Sequence, residues 1–339
     1  VQAGGQTCTK TGTIAITSGP QPASAAMAST YWVPVASHDS GSQGSEWRTD
    51  LGILNLGTSA ASVQMILHTS GQPVTGTDEL DPLGEAVYDD IVGQLGVSGT
   101  AALEIRSSQP LHVTSRTYNQ TASGTFGQDY DGVEEGEGAF AGQEVFLPQL
   151  TENAAYRTNI SVTNTGTTPG AVLVELFDGS GTKLGDYTVT LSPGERKQGN
   201  RPFFNKAGQS NLASGYARVT VTTGSGILAS ASVIDNTTND PTTVPMKAAP
   251  VVGKPAQWLP VVSHTSGSQN SEWRTDIGIL NVGTAAAKVE MHLFTTGGMQ
   301  VATETVSPQS QQILVDVMNR FSATGSAALE VLADQPVVL

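Results

Sequence analysis

Residues 31–56 read YWVPVASHDSGSQGSEWRTDLGILNL, and residues 257–282 read QWLPVVSHTSGSQNSEWRTDIGILNV. The two stretches match almost residue for residue, with Arg48 and Arg274 standing 226 positions apart. A match of this length at a fixed spacing indicates an internal repeat, in which each copy forms one structural unit. The sequence therefore predicts a repeated domain rather than one large domain.

The same spacing recurs further along the chain, where SGTAALEIRSSQP (98–110) corresponds to TGSAALEVLADQP (324–336). A third, more divergent copy, EVFLPQLTENAAYRTNISVTNTG (144–166), lies between the other two. It keeps the same order of features: an apolar run with a proline, a polar loop, an aromatic residue and Arg-Thr. We therefore predict three modules of one type.

The repeat also predicts where the modules begin and end. Each copy is about the size of one sandwich domain, roughly 100 residues. The predicted segments are an N-terminal extension (1–30), module 1 (31–126), an acidic linker (127–143), module 2 (144–246), a short linker (247–256) and module 3 (257–339).

Within each module the pattern is that of short β-strands. Val63, Met65 and Leu67 alternate with more polar neighbours, and turn-forming residues separate the apolar runs. A period of two is typical of strands that are buried on one face. We predict an all-β fold of three tandem immunoglobulin-like β-sandwich domains with a strand-like N-terminal extension. Residues 87–95 and 313–321 are exceptions, because their pattern fits a short helical turn as well as a strand.

The composition excludes several classes of partner and site. The formal net charge is -14 at pH 7. A chain without a basic stripe does not displace counterions from phosphates, which excludes nucleic acid as a partner. No apolar run reaches the length of about 18 residues that a membrane span needs. Cys8 is the only cysteine, which excludes an intramolecular disulfide and a cysteine-rich zinc site.

An aromatic residue followed by Arg-Thr recurs in every module. Residues two apart on a strand face the same side, so Arg48 and Asp50 are expected to pair with each other or with the adjoining loop. The alternatives are a binding site on the sandwich rim and a structural pair that pins the loop; recurrence in linked modules favours the structural pair. The predicted structural residues are Trp47, Arg48, Asp50, Tyr156, Arg157, Trp273, Arg274 and Asp276.

Catalytic motifs are not found in the sequence. It contains no Gly-x-Ser-x-Gly elbow, no phosphate-binding P-loop and no Gly-x-Gly-x-x-Gly. His38 and His264 occupy equivalent loop positions, but no second ligand stands at metal-binding spacing. We therefore predict a protein that is not an enzyme.

The run DYDGVEEGEG (129–138) is the most acidic segment. Calcium prefers several oxygen ligands on a flexible loop, which makes this segment a candidate calcium site. The alternative is a solvated linker that its like charges keep extended. No other cofactor is predicted. The candidate calcium ligands are Asp129, Asp131, Glu134, Glu135 and Glu137.

The last strand of module 3 is short. In module 1 it runs from Leu111 to about Asn119, whereas only three residues follow Pro336 in module 3. A sandwich without most of its final strand leaves backbone groups unpaired and an apolar groove open. The run TGTIAITSG (11–19) has the alternation of a strand that would fill such a groove in another molecule, which is donor-strand addition.

Two alternatives to strand donation stay open. The chain is truncated or processed after Leu339, or the N-terminal strand pairs within its own chain. The predicted subunit contacts are Thr13, Ile14, Ala15, Ile16, Thr17, Val337, Val338 and Leu339.

The repeat and its strand pattern resemble bacterial secreted or surface proteins built from tandem immunoglobulin-like or fibronectin-like modules. The resemblance covers residues 31–339, and it implies a spacer, adhesive or fibre role outside the cell without active-site residues. A head-to-tail contact between copies propagates into a filament, so the leading hypothesis is a structural subunit whose partner is itself. The alternatives are a surface adhesin that binds glycan or protein through loops at the sandwich ends, and a non-catalytic part of a larger secreted enzyme.

Overall fold

The computed structural model describes residues 9–12, 14–16, 27–122, 124–250 and 256–339. Strands dominate, with several sheets and only short helices, so the prediction of an all-β architecture is confirmed. The described helices include none that is long and apolar enough to cross a membrane.

The N-terminal extension, module 1 and the acidic linker contain the first eleven strands of the described residues. Short helices occur where the sequence allowed a helical turn, in module 1 and again in module 3. The elements are β1 (Thr9–Thr11), β2 (Ala15–Ile16), β3 (Ser29–Ser40), β4 (Glu46–Asn55), β5 (Ala61–His68), β6 (Val74–Leu80), β7 (Glu85–Tyr88), α1 (Ile91–Gln94), β8 (Gly99–Ser107), β9 (Leu111–Thr121), β10 (Gly124–Asp129) and β11 (Val133–Glu134).

Modules 2 and 3 repeat this order. The elements of module 2 are β12 (Glu144–Glu152), β13 (Tyr156–Asn164), β14 (Gly170–Asp178), β15 (Lys183–Leu191), β16 (Arg196–Asn200), α2 (Pro202–Ala207), β17 (Leu212–Thr223), β18 (Ile227–Asp235), β19 (Pro241–Pro245) and β20 (Lys247–Ala248). Those of module 3 are β21 (Gln257–Ser266), β22 (Glu272–Arg274), β23 (Ile277–Asn281), β24 (Ala287–Thr295), β25 (Gly298–Val306), β26 (Gln311–Leu314), a 3₁₀ turn (Val317–Phe321), β27 (Gly325–Ala333) and β28 (Val337–Val338).

Each module contributes two layers, which we call its front and back sheets. In module 1 the front layer has the order β3-β8-β5-β6, and the back layer consists of β7, β4, β9 and β10; pairing of the end of β3 with the start of β4 joins the two layers into one sheet. The front sheets of modules 2 and 3 are β12-β17-β14-β15 and β21-β27-β24-β25. Their back sheets are β16-β13-β18-β19 and β26-β23-β28.

Each pair of sheets encloses its own apolar core. The alternation seen in the sequence explains this, because every second residue of β5 is buried while its neighbours are half-exposed. Tyr88, Phe203 and Met291 are fully buried representatives of the three cores. Tyr130 of the predicted acidic linker belongs to the core of module 1 and Ala139 to that of module 2, so this linker contributes to both cores.

Part of the predicted acidic linker lies in the sheets of module 1. β10 pairs with β9, and β11 pairs with β3 through Val133 and Trp32. Tyr130 is buried in the core of module 1. Apolar residues are interspersed among the carboxylates, and their burial holds this segment against the module.

The N-terminal segment pairs with module 1 of its own chain. β1 runs parallel to β7, and β2 runs antiparallel to β6. Ile14, between them, packs against the core of module 1. A Cβ at Gly76 would lie 2.1 Å from Ile14 Cγ2, so the glycine makes room for this side chain. This arrangement is the intramolecular alternative to strand donation.

Candidate functional site

Arg48 and Asp50, which recur in module 3, both contact Asp90. His38 Nδ1 lies 2.6 Å from Asp90 Oδ2, and Arg48 Nε lies 3.7 Å from the same oxygen. Asp50 Oδ1 accepts hydrogen bonds from the Asp90 backbone N–H at 2.9 Å and from the Tyr118 hydroxyl at 3.1 Å. Burial, together with the neighbouring Asp50, raises the pKa of Tyr118 to about 12.

Module 3 repeats this network. His264 Nδ1 lies 2.7 Å from Asp316 Oδ2, and Arg274 Nε lies 3.5 Å from it. Asp276 Oδ1 accepts a hydrogen bond from the Asp316 backbone N–H at 2.8 Å. Asp90 and Asp316 were not among the residues predicted from the sequence, although they also stand 226 positions apart. That spacing was the signal that would have identified them.

Module 2 keeps the tie with its charges exchanged. Glu152, in the position of His38, accepts hydrogen bonds from Arg201 Nε at 2.8 Å and Nη2 at 2.7 Å. Arg201, like Asp90, has a left-handed backbone and immediately precedes the short helix. A catalytic His-Asp pair would not tolerate this exchange, so the network favours a structural role that holds the first strand against the helical turn.

The remaining aromatic-Arg residues also contact loops. A Cβ at Gly41 would lie 2.4 Å from Trp47 Nε1, and a Cβ at Gly267 would lie 2.4 Å from Trp273 Nε1. The indoles therefore lie against the glycines of the polar loops. In module 2, Arg157 donates hydrogen bonds to side-chain oxygens of two loop asparagines at 2.8 and 2.9 Å, while the Tyr156 side chain is exposed.

The acidic residues do not form a cluster. Among the described residues, no group of three or more His, Cys, Asp or Glu side chains is placed to hold a metal ion. Glu137 instead accepts a hydrogen bond from the Glu134 backbone N–H at 3.1 Å. The Asp129 backbone oxygen accepts one from the Thr243 hydroxyl of module 2 at 2.8 Å. Asp131 and Glu135 join no such group.

Those predicted subunit contacts that the structure describes make their contacts within their own chain. Val337 and Val338 pair with the last two residues of β23 and are buried, and Leu339 packs against the core of module 3. Ala15 and Ile16 form β2 and are exposed. Thr13 and Thr17 lie outside the described residues.

The contact between modules 1 and 2 includes an aromatic pair of module 1. Trp32, on the front sheet of module 1, stacks on His68 with ring centroids 5.0 Å apart. Trp32 belongs to a buried cluster with Leu228, on the back sheet of module 2. The Thr163 hydroxyl of module 2 donates a hydrogen bond to the Pro34 backbone oxygen of module 1 at 3.1 Å.

Modules 2 and 3 meet in the same way. Phe146 and Tyr216, on the front sheet of module 2, cluster with Leu280 and Val338, on the back sheet of module 3. The Tyr216 hydroxyl donates a hydrogen bond to the Gln309 backbone oxygen at 2.7 Å. Both junctions therefore place the front sheet of one module against the back sheet of the next.

A polar cleft of about 490 Å³ lies at the first junction. Its lining includes Arg157, Arg196, Arg201, Gln128 and Tyr130. Within the described part of the chain, the buried Gln128 Oε1 and Arg196 Nε atoms have no hydrogen-bond partner. Desolvation lowers the pKa of Arg196 to about 10, so its guanidinium remains charged at neutral pH. The cleft thus presents a cation and an unpaired acceptor.

Comparisons with known proteins add little to this picture. No family model matches the chain, and no curated protein matches it. Among solved structures, the chain is similar to the crystal structure of Thermotoga maritima 1070, with 17% identity and a TM-score of 0.28. The similarity covers 32% of this chain and 97% of that chain. A TM-score this low supports no argument about fold or function.

Proposed function

We propose that this protein is a non-catalytic structural subunit of an extracellular filament or surface assembly. In this proposal three tandem immunoglobulin-like sandwiches form one rod-like subunit, and copies associate head-to-tail. The observation that carries the proposal is the repeated junction. Front sheet contacts back sheet between modules 1 and 2, and again between modules 2 and 3.

Each junction joins two different faces, the front sheet of one module and the back sheet of the next. Because the two faces differ, each junction is heterologous, and a heterologous contact propagates unless it closes into a ring. The junction is also well suited to strong association, since burying a large apolar side chain contributes about 1.5–3 kcal/mol. Trp32 and Phe146 are both buried at their junctions.

Donation of the N-terminal strand to module 3 of a neighbour is a second form of the same proposal. It requires β1 and β2 to leave module 1 and Ile14 to leave its core. The donated strand would extend β28 along β23, where only Leu280 and Asn281 are paired with it.

The proposal is tested on purified protein whose ends are defined by mass spectrometry. Sedimentation velocity over a range of concentrations, followed by negative-stain electron microscopy, is expected to show filaments with an axial repeat of three modules. Monomeric three-module rods at every concentration would contradict the proposal.

A second candidate function, favoured by the cleft, is binding of an anionic glycan. Guanidinium groups and a tyrosine in one polar cavity fit carboxylate or sulfate groups on a sugar. Calorimetric titration with sulfated and uronic-acid oligosaccharides is expected to give heat that Arg196→Met abolishes and Lys206→Met does not. Absence of heat with the wild-type chain would exclude this candidate.

A further inference from the structure

The front sheet of module 3 exposes an aromatic pair that the other modules bury. Trp32 and Trp258 occupy the same position, two residues before the proline of the first strand. Trp32 is 5% exposed, whereas Trp258 is 54% exposed. Val35 and Val261, which follow those prolines, are 5% and 65% exposed. The difference arises because module 2 covers module 1 and no part of the described chain covers this sheet of module 3.

The exposed surface extends over the four strands of the sheet, with Glu330 of β27 paired with Trp258. Trp258 stacks on Phe294 with ring centroids 5.4 Å apart, and Phe294 is paired directly with Met299 on β25. Residues paired directly across strands share one face of the sheet. We call this surface the tail face; its exposed apolar residues are Trp258, Val261, Phe294, Met299, Val301 and Leu332.

A second exposed apolar surface lies at the other end of the module stack. On the back-sheet side of module 1, Leu56 is 51% exposed and Leu83 is 63% exposed. Leu54 is half-buried beside them. We call Leu54, Leu56 and Leu83 the head face.

The head face corresponds to residues that already form a junction. At the spacing of 226 positions, Leu54, Leu56 and Leu83 correspond to Leu280, Val282 and Gln309. Leu280 and Val282 pack in the aromatic cluster with module 2, and the Gln309 backbone oxygen accepts the Tyr216 hydrogen bond. The three leucines thus occupy the positions at which module 3 contacts module 2.

A glycine completes the correspondence. At the second junction a Cβ on Gly278 would lie 2.2 Å from Gln149 Cγ, so the absent side chain makes room for module 2. Module 1 has Gly52 at the corresponding position of the same strand. Val261 of the tail face occupies the position of Gln149, directly after the proline of the first strand. A Cβ at Gly52 would lie 2.9 Å from Thr114 Oγ1 of the same module, so Val261 placed over Gly52 would also meet this threonine.

We propose that the tail face of one copy binds the head face of the next, forming between chains the junction that the chain forms twice within itself. The occupant of each face is a second copy of this chain. The inference rests on the proposed function and specifies the surface through which the subunits associate. Trp258 and Phe294 then contact Leu54, Leu56 and Leu83, with Val261 over Gly52.

Two complementary variants of the full chain test this contact. Trp258→Arg disrupts the tail face alone, and the double variant Leu56→Asp, Leu83→Asp disrupts the head face alone. Loss of a central aromatic anchor typically weakens association about 30-fold or more, so each variant alone is expected to sediment as a monomer. An equimolar mixture is expected to form a one-to-one dimer, because each variant retains one intact face.

A control variant and melting curves accompany these two variants. Val315→Ser changes an exposed apolar residue outside both faces and is expected to leave assembly intact. Melting curves of all variants report folding, which exposed substitutions should leave unchanged.

Polymers that persist in both disrupting variants would overturn the face contact while leaving head-to-tail assembly in place. Loss of assembly in Trp258→Arg alone would also overturn it, because the contact would then join two tail faces. Wild-type protein that stays monomeric would overturn the proposed function itself.

Discussion

The guanidinium of Arg201 donates two hydrogen bonds to Glu152, a carboxylate that is fully buried in module 2. The corresponding positions in module 1 are Asp90 and His38, so the same tie exists with its acidic and basic residues exchanged. A contact that survives this exchange depends on bonding between an acidic and a basic side chain and not on which of the two positions carries each one. In each module it fixes the first strand of the front sheet to the turn that begins the short helix.

Removing one partner of the buried pair should destabilise module 2. Arg201→Met removes two hydrogen bonds from the buried Glu152 carboxylate, which keeps the one from the Thr158 backbone N–H. Because the Arg201 side chain is 41% exposed, the expected loss in free energy of unfolding is about 1–3 kcal/mol. The matched control is Lys197→Met, which breaks the exposed pair with Glu195 and should cost less than about 1 kcal/mol. Chemical denaturation measures both values. Equal, small losses would show that the buried pair is not a structural tie.

The charges of module 1 should be exchangeable. His38→Glu alone places a carboxylate beside Asp90, and like charges in contact are destabilising. Adding Asp90→Arg recreates the arrangement of module 2 and is expected to recover most of the lost stability. A double-mutant cycle should give a coupling of about 1 kcal/mol or more. A coupling near zero would contradict the structural role assigned to His38.

Much of the fold follows from the sequence, because the repeat is nearly exact. The spacing between Arg48 and Arg274 and the alternation in β5 predict strands of one type repeated along the chain, and the all-β structure agrees. The partners of His38 and Glu152 are harder to predict. They lie in short turns with no alternation, and the exchange of charge in module 2 conceals the correspondence.

The exposure of a side chain at a junction cannot be predicted from the sequence of its own module. Trp32 and Trp258 stand in nearly identical sequences, yet only Trp32 is covered, because burial depends on which face the next module presents. The acidic segment shows the same limitation. Its carboxylates suggest a solvated linker, whereas Tyr130 and Val133, spaced among them, attach it to module 1.

Acid should destabilise module 1, because its buried Glu104 pairs with His68, the residue that stacks on Trp32. Burial alone would raise the pKa of Glu104, but hydrogen bonds from His68 and Arg106 outweigh it and hold the pKa below its ordinary value of 4.5. A lowered folded-state pKa contributes stability above the unfolded value, and this stability is lost as pH falls below it. The melting temperature is therefore expected to fall as pH decreases below about 4.5, and Glu104→Gln should flatten that dependence. An unchanged profile in Glu104→Gln would show that other carboxylates control the acid response.

Deleting residues 1–19 separates strand donation from the face contact. The deletion removes Ile14, which is partly buried against the core of module 1, so loss of this contact should lower the free energy of unfolding by about 1 kcal/mol. The milder Ile14→Ala should cost part of that amount. If the tail and head faces hold the filament together, polymers should persist in both variants at temperatures where module 1 remains folded. Loss of polymers from the deleted chain, with module 1 still folded by circular dichroism, would instead favour donation of the N-terminal strand to module 3 of a neighbour.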